Sequence, residues 1–244
     1  MELNKIYNVD CLEFMKGMES NSIDLIITDP PYEIIHGGCT SDTLGGIFKR
    51  VGVDGDNTEV ANGKLFKHCE IKPSSFMPEL FRILKNKTHC YIMVNSGNLN
   101  EFWNEALKAG FGFHNLLIWE KDSHTMNKWY MKNCEYILFL RKGEAKNINN
   151  MGSKVVFKVN NLRNKLTTNK HPTEKPFDLI RHFLLNSSNK GDLVFDPFGG
   201  SCVLAEVCLT YERNFLITEI DEKYYKMGLE RLKSREKINK SKLF

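Results

Sequence analysis

Ile23-Asp24-Leu25-Ile26-Ile27-Thr28 runs directly into Asp29-Pro30-Pro31-Tyr32. A short run rich in β-branched residues and leucine reads as a buried strand, and two prolines without backbone donors stop it. The stop leaves a carboxylate, backbone carbonyls and an aromatic ring at a strand's carboxyl end, where open α/β sheets bind ligands. That set suits a flat heterocycle bearing an exocyclic amine. Asp29 and the Pro30 carbonyl would accept its two N–H bonds while Tyr32 stacks on the ring. Taken alone, the same residues serve equally well as a strand-ending turn, with Asp29 capping backbone amides and Tyr32 filling a gap.

Outward from this motif, strands and helices alternate. Asn8-Val9-Asp10 reads as a short strand and turn into an amphipathic helix ending near Ser20, with Asp10 as its N-cap. From Glu33 to about Lys72 regular signals vanish among recurring glycines, which predicts a long loop or lid following the candidate site. Helix 73–85, strand 88–94, helix 98–109, strand 113–119 and strand 134–140 come next. Residues 120–132, with His124, Trp129 and Tyr130, read as a polar loop with a structural histidine. Helix 176–186, strand 192–195, a helix through Leu209, strand 215–219 and a final helix from Asp221 complete the chain. The alternation predicts one α/β domain over residues 1–244: a Rossmann-like three-layer sandwich with a mostly parallel, seven-stranded sheet.

Composition bounds the function. With 41% hydrophobic and 26% charged residues, the 244-residue chain matches an ordinary globular protein able to bury a large core. No run is long and apolar enough for a bilayer and the start is polar, so a cytoplasmic protein without a membrane partner is expected. The cysteines are scattered with no C-x-x-C pair, and no histidine pair has ligand spacing, so no metal is expected. The net charge of +4 is mild, but its distribution is uneven. Between Arg141 and Lys170, eight cations face only Glu144 and are interleaved with asparagines. A charge run is usually a solvated face, but cations neutralise phosphates and asparagine reads base edges, so this segment, with Lys154, Lys158, Arg163 and Lys165, is expected to contact nucleic acid.

A second strand end carries its own chemistry. Asp192-Leu193-Val194-Phe195 leads into Asp196-Pro197-Phe198-Gly199-Gly200-Ser201, where glycines let a ligand approach the backbone. Glu219, at the end of the next strand, suits ribose hydroxyls. The dinucleotide fingerprint and a phosphate-gripping lysine are both absent, which favours a nucleoside cofactor without pyrophosphate, with S-adenosylmethionine the candidate.

Together, Asn8-Val9-Asp10-Cys11-Leu12, Asp29-Pro30-Pro31-Tyr32, His171-Pro172-Thr173-Glu174-Lys175-Pro176, Asp196-Pro197-Phe198-Gly199-Gly200-Ser201 and Glu219-Ile220-Asp221 resemble the amino-group DNA methyltransferases. The order, acceptor motif first, is similar to the circularly permuted β group. The resemblance implies methyl transfer from S-adenosyl-L-methionine to an amine in double-stranded DNA. Asp-Pro-Pro-Tyr resembles the adenine-N6 version, since cytosine-N4 members more often begin with serine. By that resemblance Asp29, Pro30, Pro31 and Tyr32 form the catalytic motif. Asp10, Cys11, Asp29, His171, Thr173, Lys175, Phe198, Gly199, Gly200, Ser201, Glu219 and Ile220 would surround the cofactor. The family commonly has glycine at Cys202, whose side chain is therefore expected beside the methionine pocket. The resemblance admits a homodimer and an accompanying restriction endonuclease as partners. Other readings are cytosine-N4 methylation, RNA or protein-glutamine methylation, and a non-catalytic binding subunit of the same fold.

Overall fold

The computed structural model describes residues 1–31, 71–125, 130–159 and 174–241. Tyr32, most of the 33–72 loop, Arg163, Lys165, His171 and Thr173 lie outside the described residues. The first part of the chain contains β1 (Lys5–Tyr7), α1 (Cys11–Lys16), β2 (Ile23–Thr28), α2 (Pro73–Ile83), β3 (Leu84–Val94) and α3 (Leu99–Ala109). Then come β4 (Gly112–Thr125), β5 (Lys132–Lys142), β6 (Val156–Lys158), α4 (Phe177–Ser187), β7 (Leu193–Asp196), α5 (Val203–Thr210), β8 (Asn214–Thr218) and α6 (Glu222–Ser241).

The strands form one sheet in the order β1-β8-β7-β2-β3-β5-β4-β6. Only the β3–β5 and β4–β5 pairs are antiparallel. Strands covered by helices on both faces read as continuous apolar runs, and β2 shows why. Leu25 and Ile27 join a core built with α4 and α5, whereas Ile23 and Ile26 join a second core built with α1, α2 and α3. The chain is therefore the expected Rossmann-like three-layer α/β sandwich.

From β2 the chain winds outward to β3, and from β7 it winds the other way to β8. The boundary between β2 and β7 is thus a topological switch point, where such sheets form their ligand crevice. Asp29 and Asp196 flank it.

Several boundaries differ from the sequence expectation. The first strand lies earlier, at Lys5–Tyr7, because Asn8 turns away to donate to the Glu219 carbonyl at 2.8 Å. Residues 120–125 are not a loop: β4 continues to Thr125, which pairs with Lys132, so β4 and β5 form an arm extending past the site edge. Asp122 and His124 are exposed, and a stretch this polar carries no apolar alternation. The sheet has eight strands rather than seven, because Val156-Phe157-Lys158 adds to β4. Three residues in a basic segment give too little periodicity to read.

Candidate active site

Four neighbouring strands place an acidic residue at or just beyond their carboxyl ends: Asp10 after β1, Glu219 after β8, Asp196 in β7 and Asp29 after β2. Adjacent strands lie about 4.8 Å apart, so local sequence brings these groups into a single row. A buried hydrogen bond joins the central pair of strands: Thr28 Oγ1 donates to Asp196 Oδ1 at 2.7 Å. Thr28 was not legible as a site residue, since its partner lies 168 positions away.

Asp29 meets a cation. Lys175 Nζ lies 2.8 Å from Asp29 Oδ2 and 3.1 Å from Glu135 Oε2. Glu135, near the start of β5, also pairs with Lys121 of β4, whose ammonium sits 5.0 Å from the centroid of the Trp119 ring. Burial disfavours the Lys175 ammonium, but the charges of Asp29 and Glu135 outweigh it and raise its pKa. Burial would likewise raise Glu135, yet Lys175 and Lys121 prevail and hold it below the usual carboxylate range. Neighbouring side chains in the segment before α4 have opposite roles. Glu174 pairs with Arg231 of α6 at 2.8 Å, while Lys175 reaches the site.

The β7 end is held without a cation. Asp196 Oδ1 also accepts from the Phe198 amide at 3.0 Å, and Glu219 accepts from the Gly200 and Asp221 amides at 2.6 and 2.8 Å. Burial raises both carboxyls, that of Asp196 to about 7, with Asp29 and Glu219 adding repulsion. The glycines serve packing and backbone geometry. A Cβ on Gly199 would stand 2.5 Å from Ile217 Cγ2, so this residue is small because β8 lies against it, not only for a ligand. Gly200 has φ +50°.

Cys202 packs close to the glycine turn. Its φ of +54° is the left-handed geometry that favours glycine, yet its side chain is fully buried. A Cβ on Gly228 would meet its sulfur at 2.6 Å and one on Gly199 would meet it at 3.0 Å, so the thiol is packed between α6 and the glycine turn. The missing side chain at Gly228 makes room for the extra one at Cys202.

Other expected residues take mixed places. Asp10 Oδ1 caps α1 through the Leu12 and Glu13 amides at 2.8 and 3.1 Å. The Cys11 thiol is buried in the core and pushed up to about 12. Phe198 packs edge-on against Phe76 at 5.2 Å, Ser201 is buried and Ile220 is exposed. Lys154, just before β6, and Lys158, at its carboxyl end on the site side of the sheet, are exposed. Arg141 and Lys142 leave the basic face. Arg141 binds the Gly143 carbonyl, and the buried Lys142 ammonium donates to Asn21 and to the Phe81 and Leu84 carbonyls. Among the described residues, no three acidic, His or Cys side chains are grouped to hold a metal, and no helix is long and apolar enough to cross a membrane.

The geometry can be set against known proteins. The profile of a DNA methylase family of the N6 and N4 types matches residues 23–230. The chain is 28% identical over 265 residues to the DNA adenine methyltransferase YhdJ of Escherichia coli (strain K12), covering 95% of this chain and 83% of the relative. The crystal structure of M1.HpyAVI in complex with SAM superposes with a TM-score of 0.65 at 21% identity, covering 93% of this chain and 98% of the other. The PvuII DNA methyltransferase, cytosine-N4-specific, gives 0.66 at 15% identity, covering 92% and 84%. At those identities the two structures speak for the fold.

Proposed function

The chain belongs to the DNA methylase family of the N6 and N4 types, and from that premise we propose that it methylates the N6 amine of adenine in DNA, using S-adenosyl-L-methionine. One observation carries the reading: the acceptor-motif carboxylate Asp29 and the glycine-turn carboxylate Asp196 stand at adjoining strand ends across the switch point, tied through Thr28.

The donor set fits the cofactor. Asp196 to Ser201 offers one carboxylate and backbone amides and contains no cation, which suits a positively charged nucleoside and not a pyrophosphate. Glu219 would take the ribose hydroxyls and Asp10 the cofactor's adenine amine. Residues 198–201, Cys11 and Ile220 would line the cofactor, with His171 and Thr173 by its methionine part. When bound, S-adenosyl-L-methionine supplies a methyl group on a sulfonium.

The chain's own work is on the acceptor. An aromatic amine is a poor nucleophile because its lone pair is delocalised into the ring. Asp29 and the Pro30 carbonyl, accepting its two hydrogens, favour a pyramidal nitrogen with its lone pair directed outward. The surplus proton leaves after the N–C bond forms, so no strong base has to act first. Pro31 fixes the turn that aims these acceptors. Flipping the base out of the duplex costs a few kcal/mol, which stacking on Tyr32, about 1–3 kcal/mol, largely offsets. Exposed Lys154 and Lys158, with Arg163 and Lys165, would neutralise phosphates along the edge beyond β4.

Aspartate at the head of the motif and the relationship to an adenine methyltransferase both favour adenine. The fold likeness to a cytosine-N4 enzyme supports cytosine as the second reading. The test is to offer the protein duplex DNA, RNA and protein in parallel with deuteromethyl-labelled cofactor and to weigh the released nucleosides and peptides. N6-methyldeoxyadenosine carrying the label is expected. Labelled N4-methyldeoxycytidine would move the target, and label only in RNA or protein would remove DNA as substrate.

A further inference from the structure

We infer that Lys175 and Glu135 are positioning residues for Asp29: the shared ammonium fixes the acceptor carboxylate, and Glu135 balances that ammonium so that Asp29 keeps its pull on the target amine. The inference rests on Asp29 being the amine acceptor and reassigns Lys175 from the cofactor to the acceptor side of the site.

The geometry is specific. Lys175 is 13% exposed and lies within 3.1 Å of two carboxylates from different strands, themselves 23% and 26% exposed. The charged groups facing this cluster among the described residues are Lys121 from β4, Glu135 from β5, Asp29 after β2 and Asp196 from β7. Anchoring of the 174–176 segment does not require Lys175, because Glu174 is already paired with Arg231 and Pro176 is buried. An ammonium bound to Asp29 alone would compete with the amine for the same carboxylate. Glu135 takes a share of that ammonium, and Lys121 in turn neutralises Glu135. Asp29, Lys175, Glu135 and Lys121 together carry no net charge, so the cluster is held by local pairing.

The test uses single-turnover methyl transfer from pH 5 to 9 for the full chain and for Lys175→Met, Lys175→Arg and Glu135→Gln. Cofactor and DNA affinities are measured separately, and the Glu135 carboxyl is followed by carbon-13 NMR without cofactor. Loss of positioning of this kind is worth about 100-fold in rate. Lys175→Met is expected to lose about that much with both affinities within roughly threefold of the parent. Its acid limb and its Glu135 titration both move to higher pH, and Lys175→Arg recovers part of the rate. Glu135→Gln slows transfer while leaving affinities alone. A parent-like rate and an unmoved acid limb in Lys175→Met would overturn the inference, as would a rate loss matched by lost cofactor affinity. If Lys175→Met does not fold, an unchanged rate in Glu135→Gln overturns it. The carboxyl titration reads the cluster whatever the substrate. Failure of the Asp29 reading itself would show separately, as undiminished transfer by Asp29→Ala.

Discussion

The two strand ends that flank the switch point are held by different physics. At the β2 end, Asp29 is fixed by an ion-paired lysine within a network spanning β2, β5 and β4. At the β7 and β8 ends, Asp196 and Glu219 are fixed by backbone amides, a hydroxyl and close packing, with no cation in direct contact among the described residues. The first arrangement gives a carboxylate whose position depends on charge. The second gives carboxylates that burial pushes toward the neutral form until a positive ligand arrives. In the proposed function these two solutions serve the acceptor and the positively charged cofactor respectively.

That contrast can be broken from the packing side. Gly199→Ala puts a Cβ 2.5 Å from Ile217 Cγ2, an overpacking expected to destabilise the fold by about 1–3 kcal/mol. Denaturant unfolding reads the loss, and adding Ile217→Leu, which removes the Cγ2 branch at Cβ, should recover part of it. Full stability in Gly199→Ala would mean that the turn is not set by β8.

A smaller effect sharpens the electrostatic side. The Asp196 pKa is raised from 3.8 to about 7. A raised carboxyl contributes stability that is present below its unfolded pKa and lost as pH climbs through the folded value. The cofactor-free protein should therefore lose stability between roughly pH 4 and 7 on this account, and Asp196→Asn should flatten that slope in thermal melts. Affinity for S-adenosyl-L-methionine should rise severalfold from pH 6 to 8 as Asp196 ionises, and calorimetry at both values reads it.

Much of this was legible in the sequence because helices cover both sheet faces. Ile23–Thr28, Leu193–Asp196 and Asn214–Thr218 are largely buried and read as mostly apolar runs that end in, or are followed at once by, an acidic residue. Asp29, Asp196 and Glu219 could thus be placed at strand ends from the sequence, whereas Asp10 read only as a helix cap until the family resemblance gave it a role. What escaped depended on contacts through space. Glu135 sits in an ordinary β-strand and becomes a site residue only because β5 runs antiparallel to β3 and brings its start to the site edge. The thiol of Cys202 could not be placed without Gly228, 26 positions later on another helix. β6 gave no pattern because three residues at a sheet edge complete no period.

The central claim, that one strand end holds the acceptor and its neighbours the cofactor, is tested most directly by comparing Asp29→Ala with Glu219→Ala. Cofactor affinity is measured by calorimetry and methyl transfer to DNA by label incorporation. The structure predicts that Asp29→Ala binds S-adenosyl-L-methionine within a few-fold of the parent and transfers no detectable methyl, while Glu219→Ala loses binding first. Methyl transfer surviving in Asp29→Ala, or cofactor binding lost equally in both variants, would contradict it.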